Sequence, residues 1–157
     1  MRLTTLTDYA LRLLIHVAQH PDRLCTIAEV SQAYGISEAH LMKVTHRLAQ
    51  TGWIETLRGK GGGMRLVRPP REIGLGDVVR DMESDFAIVE CFAAPDACTL
   101  DGRCRLAGVL QQALTAFHEQ LDRHSLQDLL PDEKRSRPGA DNAAVVRVAP
   151  RRTAGAR

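Results

Sequence analysis

A chain of 157 residues, 44% hydrophobic and 25% charged, carries enough apolar material for one soluble domain with a real core. Aromatics make up only 4%, so that core must be mainly aliphatic. No apolar run reaches the roughly 18 residues a bilayer-spanning helix needs, and Asp8, Arg12 and His16 interrupt the first apolar stretch, so neither a membrane protein nor a secretory leader is expected. The expected location is the cytoplasm, where thiols stay reduced and clustered cysteines favour metal over disulfides.

The net charge of +2 hides a division. Residues 1–75 hold ten Lys/Arg against six Asp/Glu, residues 76–131 four against ten, and residues 132–157 seven against three. A basic front suits a polyanionic partner, although charge alone is equally compatible with an ordinary solvated surface.

In chain order, "TDYALRLLIHVAQHP" predicts a helix, with Leu11, Leu14, Ile15 and Ala18 at spacings of three and four, Thr7 as its cap and Pro21 beyond its end. "TIAEVSQAYG" predicts a shorter helix, with Thr26 as cap, Glu29 three residues on and Gly35 closing it. "SEAHLMKVTHRLAQTG" predicts a third, capped by Ser37, ended by Gly52 and striped by Leu41, Val44 and Leu48. Two such helices around a glycine-containing turn make a helix-turn-helix candidate. The period then changes. "WIETLR" and "MRLVR" read as short strands joined by "GKGGG", whose glycines accept the positive φ of a hairpin tip. "GLGDVVRDMES" predicts a short helix, residues 85–103 a cysteine loop, and "CRLAGVLQQALTAFHEQLDRH" a long amphipathic helix with Leu106, Leu110, Leu114, Phe117 and Leu121 in its stripe. "SLQDLL" adds a turn or short helix before Pro131, and the segment from Asp132 onward lacks any period and is expected to be a disordered basic tail.

The expected fold is therefore mostly α: a winged helix-turn-helix region over residues 1–83, a cysteine-rich loop over 84–103, a long helix and following turn over 104–131, and the tail over 132–157. A recognition helix must present polar groups away from its packed stripe, and His40, Lys43 and Arg47 share such a face. Ser37, at the start of that helix, can meet a phosphate through its hydroxyl and the free N–H groups around it. Arg58, Lys60 and Arg65 flank the glycines of "RGKGGGMR". That stretch lacks the order of a Walker phosphate loop and leads into a strand, so a basic wing along a minor groove fits it better than a nucleotide loop.

Cys91, Cys98 and Cys104 follow the spacing C-x6-C-x5-C. Structural zinc sites use closer pairs and four ligands, whereas an iron–sulfur cluster accepts wider loops because the cluster is large and its ligating sulfurs stand farther apart. Three thiolates leave one iron for a weaker ligand or an open position accessible to small diatomic molecules. A zinc-stabilised module and an iron–sulfur electron carrier remain the alternatives, the latter without any flavin, nicotinamide or second-cluster motif beside it. Cys25, far away in sequence, reads as a buried or half-buried structural residue.

The stretches "LTDYALRLL", "YGISEAHLMKV", "RGKGGGMRL", "GDVVRDME", "VEC", "CRL" and "LQDLL" resemble, in order over roughly residues 1–130, the iron–sulfur winged-helix transcription regulators of bacteria. Within that family they look most like the nitric-oxide-sensing repressors. The cluster-assembly type differs in placing a histidine where this chain has Ala107, and the iron-responsive type remains the alternative, with a lead like "FAIVECF". The resemblance implies a DNA-binding repressor rather than an enzyme. It implies a homodimer joined along the helix from Cys104, bound to a palindromic operator in double-stranded DNA. It also implies an iron–sulfur cluster, [4Fe–4S] rather than [2Fe–2S], held by Cys91, Cys98 and Cys104, with Asp8 reaching over from the partner subunit as fourth ligand. Nitric oxide would be the signal, its reaction releasing the operator.

Overall fold

The first helix begins nearly one turn before the expected cap. In the computed structural model, which describes residues 2–94 and 104–131, α1 spans Thr5–Ala18 and Thr4 caps it, its hydroxyl accepting the Thr7 N–H. Thr4 has the extended backbone a cap requires (φ −63°, ψ 154°), whereas Thr7 shares the inner face with Ala10 and Leu14 and is fully buried. Two threonines three apart can each offer a hydroxyl to the free N–H groups that follow it, and burial decides between them.

α2 (Ile27–Tyr34) carries the expected reciprocal cap. The Thr26 hydroxyl accepts the Glu29 N–H, and a Glu29 carboxylate oxygen lies 2.7 Å from the Thr26 nitrogen. Gly35 ends the helix in the left-handed region at φ 65°. α3 (Glu38–Gln50) starts from Ser37 and buries Leu41, Val44, Thr45 and Leu48. β1 (Ile54–Leu57) and β2 (Gly63–Leu66) pair antiparallel, Ile54 opposite Leu66 and Leu57 opposite Gly63. An isolated bridge between Cys25 and Met64 adds a third chain segment to this small sheet. At that crossing a Cβ on Gly63 would stand 2.6 Å from the Cys25 carbonyl oxygen, so only glycine fits without moving backbone. Gly63→Ala should therefore lower stability by about 1–3 kcal/mol, read from the urea midpoint, with overpacking as the cause.

A short 3-10 turn (Pro70–Glu72) leads into α4 (Leu75–Met82), where the sequence places it. The described part of the expected cysteine loop contains one helical turn, α5 (Glu90–Ala93), which carries Cys91. α6 (Arg105–Asp122) begins from Cys104. Its apolar stripe is only partly covered by the other described residues: Leu114 is buried and Leu110, Phe117 and Leu121 are half-buried, but Leu106 is 62% exposed and the neighbouring Val109 61%.

The core joins both ends of the described residues. Leu13, Leu14, Val30, Leu41, Val44, Leu48, Ile54, Met64, Ile73 and Val78 bury together, and each large aliphatic side chain contributes about 1.5–3 kcal/mol relative to exposure. Leu126, on the 3-10 turn Leu126–Leu129, is fully buried in the same cluster. Its N–H donates to the Ile73 carbonyl (2.8 Å), and the Leu75 N–H donates to that of His124 (2.9 Å). Arg80 of α4 clamps the end of α6 by donating to Asp77 and Asp122, each at 2.7 Å, and this bond holds the Asp122 carboxyl below the usual carboxylate range. No helix among the described residues is long and apolar enough to cross a membrane. The tail expected from Asp132 onward lies outside the described residues.

Candidate nucleic-acid interface and metal centre

Because α3 turns Leu41, Val44 and Leu48 inward, its opposite side presents Ala39, Lys43, His46 and Gln50, all exposed. Lys43 stands near the middle of that outward face. His46, one turn along, was absent from the sequence-derived set, although the 3.6-residue period places it opposite the buried stripe. His40 and Arg47 are also exposed, but on one flank, and both have intramolecular partners. His40 Nδ1 lies 2.9 Å from the Ser37 hydroxyl, and its ring centre stands 6.1 Å from that of Tyr9. Ser37 itself caps α3, accepting the His40 N–H at 3.4 Å.

Arg47 donates through Nε (3.2 Å) and Nη2 (2.9 Å) to the backbone carbonyl of Asp81. Asp81 lies in the last turn of α4, where carbonyls have no partner within the helix and a cation is favoured by the dipole. The Asp81 carboxylate meanwhile accepts the Trp53 indole N–H at 2.9 Å. One residue thus ties the recognition-type helix, the start of the hairpin and α4 together. An Arg47 side chain that reached a base would have to leave both of its hydrogen bonds.

The hairpin tip turns through Gly59 (φ 99°) and Gly61 (φ 78°). Arg58 and Lys60 extend from it fully into solvent, and neither has a carboxylate partner among the described residues. Arg65 is bound to Glu55, its neighbour across the strand pair, so its charge is answered within the protein. Wing and recognition face together offer Lys43, His46, Arg58 and Lys60 as groups free to meet phosphates or base edges.

Cys91 and Cys104 are free, half-buried thiols at either end of the stretch that contains Cys98. Cys98 itself lies outside the described residues. Cys104 occupies the cap position of α6, yet its side chain makes no capping bond, which leaves the sulfur uncommitted. An open cleft lined by Phe86, Phe92, Gln111 and Leu114 lies between the Cys91 turn and α6. Free soft donors at both ends of one segment fit an iron–sulfur cluster, for which thiolate is the usual ligand. The Asp8 carboxylate is half exposed and bound within its own protomer to Arg12 Nε, each oxygen at 3.1 Å. Elsewhere among the described residues, His16, His20 and Cys25 bring ligand atoms within 4.8 Å of one another, a grouping the sequence spacing did not suggest.

The sequence pattern of the Rrf2 family, described as an iron-dependent transcriptional regulator, matches residues 3–132. The chain is 46% identical over 136 residues to the HTH-type transcriptional regulator NsrR of Bacillus subtilis (strain 168), covering 85% of this chain and 93% of that protein. The NsrR of Halalkalibacterium halodurans is 46% identical over 135 residues, covering 85% and 92%. Among solved structures, T. potens IscR superposes with a TM-score of 0.70 at 24% identity, over 88% of this chain and 94% of that one, so the winged-helix fold is shared.

Proposed function

Since the chain belongs to the Rrf2 family of iron-dependent transcriptional regulators, we propose that it is a DNA-binding repressor whose iron–sulfur cluster senses nitric oxide. The observation that carries the reading is the pairing of an outward face centred on Lys43 with a glycine-tipped wing whose Arg58 and Lys60 have no acidic partner. Its relatives named NsrR, at 46% identity, support the repressor assignment.

In this reading α3 enters the major groove. Lys43 and His46 address base edges, with Ser37 and His40 at the helix start facing phosphate. Arg58 and Lys60 lie along the minor groove, Arg65 steadies the wing, and Arg47 holds α3 to α4. A second copy covers the Leu106 and Val109 face of α6, giving a homodimer that matches two half-sites of a palindrome about 34–36 Å apart. Cys91, Cys98 and Cys104 hold the cluster, of the [4Fe–4S] type, and Asp8 of the partner subunit completes it. When bound, the cluster would supply iron accessible to nitric oxide.

The chain's own contribution is the connection. Cys91 follows the end of α4 by nine residues, Asp81 lies in the last turn of α4, and its carbonyl is gripped by Arg47 of α3. A rearrangement between Cys91 and Cys104 therefore reaches the DNA-reading helix through α4. A differential of a few kcal/mol between two such states changes occupancy a hundredfold or more.

Anaerobic protein carrying iron should shift a palindromic operator fragment in a gel and release it when nitric oxide is added. Release on iron chelation with no response to nitric oxide would assign the protein to iron sensing instead. Within the interface, Lys60→Ala should weaken binding to all sequences alike and flatten the salt dependence by about one unit of slope. Lys43→Ala should cost about 1–3 kcal/mol and relax specificity at one base pair. Equal, salt-insensitive losses from the two would overturn these roles.

A further inference from the structure

We infer that His16, His20 and Cys25 form a second metal site, separate from the loop cysteines, that takes a thiophilic divalent ion of the zinc class. The inference does not depend on the cysteine segment holding iron.

Geometry brings the donors together. His16 sits in the last turn of α1 and His20 just beyond it, and their four-residue separation sets the ring centres 4.7 Å apart. Cys25 follows the turn after α1 and is anchored by two backbone hydrogen bonds to Met64, at 3.0 and 2.8 Å. Its side chain is fully buried. The three ligand atoms lie within 4.8 Å of one another. In a tetrahedral zinc site such atoms stand roughly 3.3–3.6 Å apart, so modest side-chain rotations close the set.

The hydrogen bonding points the same way. His20 Nδ1 lies 2.8 Å from the His16 backbone carbonyl. A carbonyl only accepts, so Nδ1 carries the proton and Nε2 keeps its lone pair. That is the arrangement by which metal-binding histidines are fixed in tautomer and orientation. His16 Nε2 is buried and has no hydrogen-bond partner among the described residues. A buried ring nitrogen without a partner is unusual in a well-packed protein, and a metal ion would supply one.

The chemistry is consistent with a borderline-soft ion. Burial lowers the His16 pKa, leaving a neutral imidazole ready to donate; burial also raises that of the Cys25 thiol, so the metal itself must drive off its proton. On binding, the metal–sulfur bond forms as the S–H proton leaves to solvent, with no change in oxidation state. Two imidazoles and one thiolate suit zinc, whereas calcium and magnesium require oxygen ligands that the group lacks. The nearby Arg23 would oppose a cation, but Glu29 answers it at 2.9 Å. An occupied site would tie the end of α1 to the base of the wing through the Cys25–Met64 bridge.

The test uses the full chain, untagged, with Cys91, Cys98 and Cys104 replaced by serine so that Cys25 is the remaining thiol. Cobalt(II) titration should give one ion per chain, with a thiolate-to-cobalt charge-transfer band and the intense visible bands of tetrahedral cobalt, both erased by zinc. His16→Gln and His20→Gln should each weaken binding at least tenfold while circular dichroism shows the fold intact. Zinc should raise the melting temperature of the starting protein and not that of His20→Gln. Cobalt bound without a thiolate band, or with the same affinity in both histidine variants, would overturn the site.

Discussion

Serine in place of any one of Cys91, Cys98 and Cys104 should yield protein with little iron and weak, poorly specific operator binding. In the proposed cluster each thiolate would anchor one iron, and a serine hydroxyl would not replace it at neutral pH. Two strong ligands and one carboxylate are too few to hold a cluster. Without it, the stretch between α4 and α6 loses its link, and binding should fall toward the non-specific level, a loss of roughly 10³ or more. Iron content, colour and gel shifts measure this together. Cys25→Ser should stay brown and bind its operator, because Cys25 lies at the base of the wing and not in the cysteine segment. Asp8→Ala separates two roles. As a cluster ligand from the partner subunit, its loss should leave a cluster with altered absorption and altered reaction with nitric oxide. If Asp8 serves only Arg12 in its own protomer, an exposed ion pair is lost at about 0–1 kcal/mol and the spectrum is unchanged. Full iron content in all three serine variants would remove the loop cysteines from the site.

Leu126→Ala should cost about 2–5 kcal/mol, a large fraction of the roughly 5–15 kcal/mol that holds a domain of this size. The side chain is fully buried among residues of the winged-helix half. Its removal leaves a cavity where the segment after α6 is pinned to α1 and to the Pro70–Glu72 turn. The urea midpoint should fall with little change in slope. A cost below about 1 kcal/mol would mean that the pocket collapses around alanine or that the segment does not dock in solution.

The helical half was legible where local chemistry alone decides. The Thr26–Glu29 reciprocal cap, the Gly35 stop, the Ser37 cap and the Leu41/Val44/Leu48 stripe each follow from contacts within four residues, and each stands in the structure as read. Thr7 was misread as a cap because two threonines compete and only tertiary burial chooses Thr4. The third segment of the wing sheet was invisible for a similar reason. Cys25 meets Met64 across nearly forty residues, which no periodicity reports. The polar face of α3 was found, but Arg47 points to Asp81 and not outward, since an exposed arginine reads the same in sequence whether it faces DNA or an unpaired helix carbonyl. The His16–His20–Cys25 grouping escaped because its third member arrives through a turn.

The pairing of Gly74 with Ser125 also sets a folding order. It closes a loop of about fifty residues, whose entropic cost must be met before the contacts it brings are gained. The contacts of α2 with α3 and of β1 with β2 close over much shorter stretches, so these pairs should form in the transition state and the segment after α6 should dock afterwards. Leu126→Ala would then speed unfolding and leave the folding rate nearly unchanged, while Leu41→Ala would slow folding. The helix pair α2–α3 and the hairpin would be in place before the last segment closes over the core.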